Sequence, residues 1–153
     1  MRDELPEFDL ERFLPYRLAV VASRLSAGLA KHYRTQYGIS IAEWRVLLNV
    51  GYSGEVSIRD IERRVSLEKS KVSRAASKLE AKGYLTKQTD ATDRRLVKLA
   101  LTATGAGILE QLIPIAQAYQ SELETSLGAQ TDLLQNALDR LMEGGEEREG
   151  AAH

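Results

Sequence analysis

The sequence predicts a mainly helical chain with one small β-hairpin, and two observations lead to this fold class. Apolar residues recur at helical spacing over most of the 153 residues. Between Tyr84 and Leu101 the spacing changes from about 3.6 residues to 2, which is typical of strands. We therefore expect a short hairpin with helices on both sides of it.

The composition indicates a folded chain and excludes several kinds of site. Hydrophobic residues make up 43% of the chain and charged residues 28%, as in ordinary soluble domains. The absence of cysteine excludes disulfides, thiolate metal sites and thiol-based redox sensing. No apolar run reaches the roughly 18 residues of a membrane span, and the acidic start does not match a secretory signal. We expect a cytoplasmic protein without cofactor or membrane association.

Residues 1–37 are predicted to form a loose arm and then a long helix that begins near Pro15, because proline suits the first helical turn. Gly38 is expected to end this helix. The apolar residues of the helix form one stripe, which comprises Leu18, Val21, Ala22, Leu25 and Leu29.

A second helix is predicted to follow directly. Ser40 and Glu43 have the spacing of a capping box, in which the serine oxygen accepts from the third helical N–H and the glutamate reaches back. Gly51 is expected to end this helix, and residues 52–55 are expected to form a turn.

Two shorter helices come next, joined by a tight connection at 66–68. The first opens at Ser57, and its buried edge comprises Ile58, Ile61 and Val65. The second covers about 69–82 and ends at Gly83. Its inward face comprises Val72, Ala76 and Leu79.

The hairpin is predicted to contain strands at 84–88 and 95–101, joined by a polar turn. One face is apolar, and the other face is expected to carry Lys87 and Lys98. A helix, a second helix, a tight turn, a third helix and a hairpin make up a winged helix-turn-helix, which we place at 38–102.

Residues 103–143 are predicted to form C-terminal helices that serve dimerisation. Thr102 is positioned to cap the first helix, and Pro114 is expected to interrupt and kink it because proline removes a backbone donor. A last helix is expected at 131–142, followed by a disordered tail at 144–153.

The charge distribution points to residues 57–101 as the functional region. They contain 12 Lys and Arg against 6 Asp and Glu, although the whole chain has a formal charge of −1. The outward face of the helix at 69–82 carries cations and hydroxyls without an acid, whereas a solvated face usually mixes both signs. Such donors can serve phosphates and base edges, so we predict duplex DNA as the partner. The predicted DNA-binding residues of this helix are Lys69, Ser70, Lys71, Ser73, Arg74, Ser77 and Lys78.

The hairpin tip is predicted to supply a second contact with DNA. Arg94 or Arg95 would enter a minor groove, where negative potential attracts guanidinium groups. Asp93 would repel phosphate if it were free, so we interpret it as a brace that pairs with an arginine or caps the turn. The alternative is a plain surface hairpin with an incidental ion pair.

The stretches 57–61, 69–74 and 79–85 resemble the multiple-antibiotic-resistance regulator (MarR) family. Residues 93–105 also match that family's wing signature, D-x-R followed by L-x-L-T-x-x-G, with Asp93 and Arg95 at the D-x-R positions. The resemblance implies dimers built from N- and C-terminal helices. It also implies a recognition helix in each major groove and wing arginines at the minor groove.

A homodimer is also expected from the residues themselves. The helices predicted at 15–37, 104–127 and 131–142 have more apolar surface than a small winged domain can cover, and soluble monomers rarely expose large apolar patches. A two-fold dimer would bury these faces and place two recognition helices roughly 34 Å apart, on a pseudopalindromic operator. The alternative is an intramolecular helical bundle.

The resemblance further implies a small aromatic or carboxylate effector, bound between the dimerisation helices and the DNA-binding lobe. An arginine would hold a carboxylate and aromatic side chains would stack on a ring. Core or interface roles remain the alternatives for the histidine and the aromatic residues among them. The candidate ligand-binding residues are Arg17, His32, Tyr33, Trp44 and Arg45.

Catalysis is not supported by the sequence. The chain has two histidines, of which His153 is the last residue, and no nucleophile–base set or metal-ligand cluster is recognisable from spacing. The predicted function is therefore a sequence-specific regulator that binds double-stranded DNA, by default a repressor because an occupied promoter blocks polymerase. The alternative is a winged-helix module that binds another protein without reading DNA.

Overall fold

A computed structural model describes residues 4–54, 56–65, 69–93 and 95–151. For Val65, Lys69 and residues 145–151 the structure describes the backbone and not the side chains. The chain divides into two structural units, Met1–Ile113 and Pro114–His153.

Helices dominate both units, in agreement with the predicted fold class. A short 3-10 helix at Leu10–Arg12 precedes the first long helix. The helices are α1 (Leu14–Tyr37), α2 (Ile41–Ser53), α3 (Ile58–Val65), α4 (Lys69–Ala81), α5 (Ala103–Leu127) and α6 (Gln130–Ala151). The strands are β1 (Val56–Ser57), β2 (Leu85–Thr89) and β3 (Val97–Leu101).

Reciprocal side-chain caps begin α2 and α3. The Glu43 N–H donates to Ser40 Oγ at 3.2 Å, and the Ser40 N–H donates to Glu43 Oε1 at 3.4 Å, which confirms the predicted capping box. Ser57 and Asp60 repeat this exchange at 3.1 and 3.3 Å. The hydrogen bond with Ser57 lowers the pKa of the Asp60 carboxyl from its ordinary value. Each cap satisfies helix N–H groups that have no partner within the helix.

The end of α4 turns the chain directly into the hairpin. Gly83 has φ 81°, a left-handed conformation that glycine adopts without steric cost. Its N–H donates to the Glu80 carbonyl and the Tyr84 N–H donates to the Leu79 carbonyl, both at 2.9 Å. This pair of hydrogen bonds is a Schellman motif and confirms Gly83 as the helix terminator.

The prediction that Gly51 ends α2 is wrong. The helix continues to Ser53, and Gly54 follows it with φ 70°. A Cβ at Gly51 would lie 2.5 Å from Leu109 Cδ1 of α5. Glycine at this position therefore allows close packing of α5 on α2, and its role is steric.

The wing is a three-stranded antiparallel sheet in the order β1-β3-β2. The sequence did not predict β1, because a strand of two residues is too short to show alternation. The placement of Lys87 and Lys98 on one face is also wrong. Lys87 pairs with Leu99 and Lys98 pairs with Gln88, so the two lysines lie on opposite faces.

The core lies among α2, α3, α4 and the sheet. Each fully buried aliphatic side chain contributes about 1.5–3 kcal/mol relative to an exposed one. These contacts fix the orientation of α4, which carries the predicted DNA-binding face. The fully buried residues include Val46, Leu47, Val50, Ile61, Val72, Leu79, Leu85 and Leu99.

Thr102 and Gly105 join the hairpin to the start of α5. Thr102 Oγ1 accepts from the Gly105 N–H at 3.0 Å, which confirms the predicted cap, and donates to the Gly83 carbonyl at 2.6 Å. A Cβ at Gly105 would collide with the Tyr84 carbonyl oxygen. The T-x-x-G segment thus combines a helix cap with a close backbone approach.

The C-terminal helices differ from the prediction at two places. α5 continues through Pro114, where an interruption was expected. Proline removes one backbone donor, but the hydrogen bonds of the neighbouring turns continue the helix. α6 continues to Ala151, whereas a disordered tail was expected from Gly144. Glu and Arg are good helix formers and can extend a helix that has already begun. Residues 152–153 lie outside the described residues.

Candidate nucleic-acid interface

The outward face of α4 is open to solvent. Ser70, Lys71, Arg74, Ser77 and Lys78 are exposed, and Ser73 is half-buried. The predicted inward residues are buried, together with Ala75, which sequence reasoning missed. The Lys69 side chain lies outside the described residues.

This face divides into two parallel stripes. Ser70, Ser73 and Ser77 recur at i, i+3 and i+7 and form a hydroxyl stripe. Lys71, Arg74 and Lys78 recur with the same spacing, one position further on, and form a cationic stripe. The sequence predicted one mixed surface, but helical geometry separates the two kinds of donor.

Lys87 holds the wing against α4 beside the hydroxyl stripe. Its Nζ donates to Ser77 Oγ at 2.6 Å, and its backbone N–H donates to Glu80 Oε2 at 3.3 Å. Sequence reasoning missed this role, because the face on which Lys87 lies depends on the strand register. The two bonds fix the position of the hairpin relative to the predicted recognition helix.

Asp90 organises the hairpin turn. Its Oδ1 accepts from the Thr92 hydroxyl at 2.6 Å and from the N–H groups of Thr92 and Asp93 at 2.8 and 3.1 Å. Its Oδ2 lies 3.3 Å from Lys98 Nζ. These hydrogen bonds, the Thr92 hydroxyl first, hold the pKa of the Asp90 carboxyl well below its ordinary value. Sequence reasoning had named only Asp93 as a brace.

Asp93 lies beside Arg95 at the wing tip. Asp93 Oδ1 accepts from the Arg95 backbone N–H at 3.0 Å and from its Nε–H at 3.3 Å. The Arg95 side chain is 86% exposed, so the pair contributes only about 0–1 kcal/mol. The guanidinium is thus available to a partner at the tip. Arg94 lies outside the described residues.

Two cavities flank α4. A wing-side cavity of about 230 Å³ lies among α3, α4 and the wing, and its lining includes Arg59, Glu62, Ser73 and Arg95. Glu62 Oε1 is buried and has no hydrogen-bond partner in the described part of the chain. An α2-side cavity of about 160 Å³ lies between α4 and the start of α2, and its lining includes Lys71, Arg74 and Lys78.

An ion pair anchors the end of α4 near the α2-side cavity. Lys82 Nζ lies 2.7 Å from Glu43 Oε2 and donates to the Gly38 carbonyl at 3.0 Å. Glu43 is only 4% exposed, and its other oxygen serves the α2 cap. A partner 39 residues away leaves no local signal, so the sequence did not predict this pair.

The candidate ligand residues are only partly brought together. Tyr33, Trp44 and Arg45 line a cavity of about 80 Å³, and Arg45 Nη2 donates to Ser26 Oγ at 3.1 Å. The ring centroids of Tyr33 and Trp44 lie 4.5 Å apart. Burial raises the pKa of Tyr33 to about 12. Arg17 and His32 are exposed and do not line this cavity. Its volume is well below the roughly 300–1,000 Å³ of typical ligand sites.

The described residues contain neither a membrane-spanning helix nor a metal site. No helix there is long and apolar enough to cross a membrane. No group of three or more His, Asp or Glu side chains is arranged to hold a metal ion.

The known proteins that are similar in sequence to this chain are transcriptional regulators. Residues 37–96 match the family model described as the MarR family. The transcriptional regulator SarZ of Staphylococcus saprophyticus is 29% identical, covering 86% of this chain and 91% of the relative. The regulator MhqR of Bacillus subtilis is 26% identical, covering 70% and 76%.

Solved structures agree with the fold. A MarR/EmrR family regulator from Acinetobacter sp. ADP1 matches with a TM-score of 0.80 at 24% identity, over 92% of this chain and 99% of that one. A MarR family regulator from Silicibacter pomeroyi matches with a TM-score of 0.73 at 27% identity, over 91% and 93%.

The fold and these similarities define a DNA-binding transcriptional regulator of the winged helix-turn-helix class, not an enzyme. Within that class, residues 37–96 match the MarR family model, and the similar solved structures include MarR family regulators.

Proposed function

We propose that the chain is a homodimeric regulator that binds a specific pseudopalindromic operator, represses transcription and is released by a small aromatic or carboxylate ligand. One observation carries the DNA-binding part: the exposed face of α4 from Ser70 to Lys78 contains cations and hydroxyls and no acid. The wing, tied to the same helix by Lys87, presents Arg95 beside it. In this proposal residues 38–102 bind DNA, and residues 1–37 and 103–143 form the dimer.

Salt dependence tests direct DNA binding. Fluorescence titrations with fragments of the source genome at two salt concentrations should show a steep loss of affinity at the higher one, because bound phosphates release counterions. A flat response would favour the alternative, a winged-helix module that binds a protein partner.

Two substitutions test the placement of the DNA face. Arg74→Ala on α4 and Arg95→Ala on the wing should each weaken operator binding and leave the dimer intact, since both side chains are exposed. Gel shifts measure the binding, and sedimentation of the same samples measures the assembly. Operator binding equal to that of the parent in both variants would refute this face.

The dimer proposal rests on exposed apolar side chains in both units. In the first unit, Leu14, Leu18, Val21 and Leu25 of α1 are exposed and recur at helical spacing. In the second unit, the exposed apolar residues of α6 are Leu133, Leu134, Leu141 and Met142. A second copy related by a two-fold axis would cover both sets.

Repression is proposed because a protein that occupies a promoter blocks polymerase without further contacts. A reporter placed behind an operator selected from the source genome should be silent when the protein is present and active when it is deleted. Lower reporter activity in the deletion strain would instead show an activator.

Ligand release is proposed from the cluster of Tyr33, Trp44 and Arg45. A solved structure of BpsR from Bordetella bronchiseptica, 19% identical with a TM-score of 0.72, concerns regulation of its DNA binding by 6-hydroxynicotinic acid. A ligand here must bind the DNA-free arrangement more tightly and must enlarge the cavity. Aromatic carboxylates should release operator from the parent and not from Arg45→Ala. Equal release from both would remove Arg45 from the site.

A further inference from the structure

The two cavities beside α4 differ in the charge they offer. The α2-side cavity contains the cationic stripe, Lys71, Arg74 and Lys78. The acid in its described lining, Glu43, is compensated by Lys82, whose Nζ lies 2.7 Å from Glu43 Oε2. The positive charge of this cavity is therefore left for a partner. We call this cavity the cationic groove.

The lining of the wing-side cavity carries charges of both signs. Arg59 and Arg95 contribute to its lining, but so does Glu62, an acid with no basic hydrogen-bond partner at its buried Oε1 in the described chain. A phosphate placed there would meet an uncompensated acceptor. A base edge carries no formal charge, so the carboxylate of Glu62 opposes it less than it opposes a phosphate.

We propose that these two sides of α4 divide the recognition of DNA. The cationic groove binds a phosphate of the operator backbone, and the hydroxyl stripe faces the base edges. Affinity then comes mainly from Lys71, Arg74 and Lys78, and sequence preference comes from Ser70 and Ser73. This assignment rests on the proposed DNA-binding function and deepens it.

Ser77 is assigned a different task from its two neighbours on the hydroxyl stripe. Its oxygen already accepts from Lys87 Nζ at 2.6 Å, which ties it to the wing. Ser73 lines the wing-side cavity, and Ser70 is exposed at the first turn of α4. Neither hydroxyl forms a hydrogen bond with the wing in the described part of the chain, so both can turn toward bases.

The test separates salt dependence from sequence preference. Binding is measured by fluorescence anisotropy over a range of salt concentrations, on the selected operator and on a scrambled duplex of equal length. Lys71→Ala and Lys78→Ala should each lower the slope of log affinity against log salt by about 0.9, as loss of one phosphate contact requires. Both should weaken the two duplexes equally and leave their ratio unchanged.

Ser70→Ala and Ser73→Ala should do the opposite. We expect the preference for operator over scrambled duplex to fall by about 2- to 13-fold for each lost hydrogen bond, with the salt slope unchanged. Lys71→Arg should restore the slope, and Arg34→Ala, which removes an exposed cation from α1, should match the parent in both measurements.

Two results would overturn the assignment and can be told apart. If the parent binds neither duplex in a salt-dependent manner, the proposed DNA-binding function fails, and this inference falls with it. If the parent binds but the lysine variants change the preference while the serine variants change the slope, the function stands and the division of labour is wrong.

Discussion

Leu79 of α4 and Leu133 of α6 are both apolar residues on helices, yet their surroundings are opposite. Leu79 is fully buried, whereas Leu133 is 68% exposed. The exposed α1 stripe resembles α6 in this respect and not α4. The comparison teaches that the proposed DNA-binding region completes its core within one chain, whereas α1 and α6 expose apolar side chains that a second copy would cover in the proposed dimer.

The largest expected effect is the loss of stability when a buried core side chain is truncated. Leu79→Ala removes a side chain from a fully buried site and should lower the free energy of unfolding by about 2–5 kcal/mol. Leu133→Ala, at an exposed site, is the matched control within one protomer. Denaturant unfolding measures both, and the dilution dependence of the midpoint separates folding from assembly. If both variants lose the same free energy of unfolding at low protein concentration, the proposed difference between the buried core and the exposed outer helices is wrong.

Truncating an exposed apolar side chain of α1 should have a smaller effect, and only on the dimer dissociation constant. Leu18→Ala should weaken dimerisation by about 1 kcal/mol for each copy, which amounts to about a 30-fold higher dimer dissociation constant. Sedimentation equilibrium measures this constant. Ser23→Ala, exposed on the other side of α1 by helical spacing, should leave the constant unchanged. A monomeric parent protein would show that no second copy covers α1.

The smallest effect concerns Tyr33, whose ring is buried and whose hydroxyl donates to the Leu112 carbonyl over 3.5 Å. That long bond contributes little, so Tyr33→Phe should change stability by less than about 1 kcal/mol. Burial raises the pKa of Tyr33 to about 12, and an unfolded tyrosine titrates near 10. The folded state therefore keeps a proton that the unfolded state loses, and stability should fall as pH rises from about 10 toward 12.

An alkaline absorbance titration checks this pH dependence. Of the six tyrosines, one should titrate near pH 12, and this component should disappear in Tyr33→Phe. If the folded protein shows no tyrosine component near pH 12, the burial of Tyr33 is not maintained in solution.

The sequence by itself determined the elements whose signals are local. Ser40 and Glu43 lie three residues apart, and Gly83 interrupts the helical period directly before the strand period begins. The same holds for the cations and hydroxyls of α4, which are neighbours in the sequence. Their positions are set by interactions within one or two turns, so a pattern of a few residues is enough to predict them.

Only the tertiary structure decided the relations between distant segments. The strand register placed Lys87 toward Ser77, and the Glu43–Lys82 pair joins residues from two helices. Packing also decided which cavity each stripe of α4 borders, because different elements lie on its two sides. Such contacts depend on how whole elements pack in three dimensions, and no short-range periodicity records that packing.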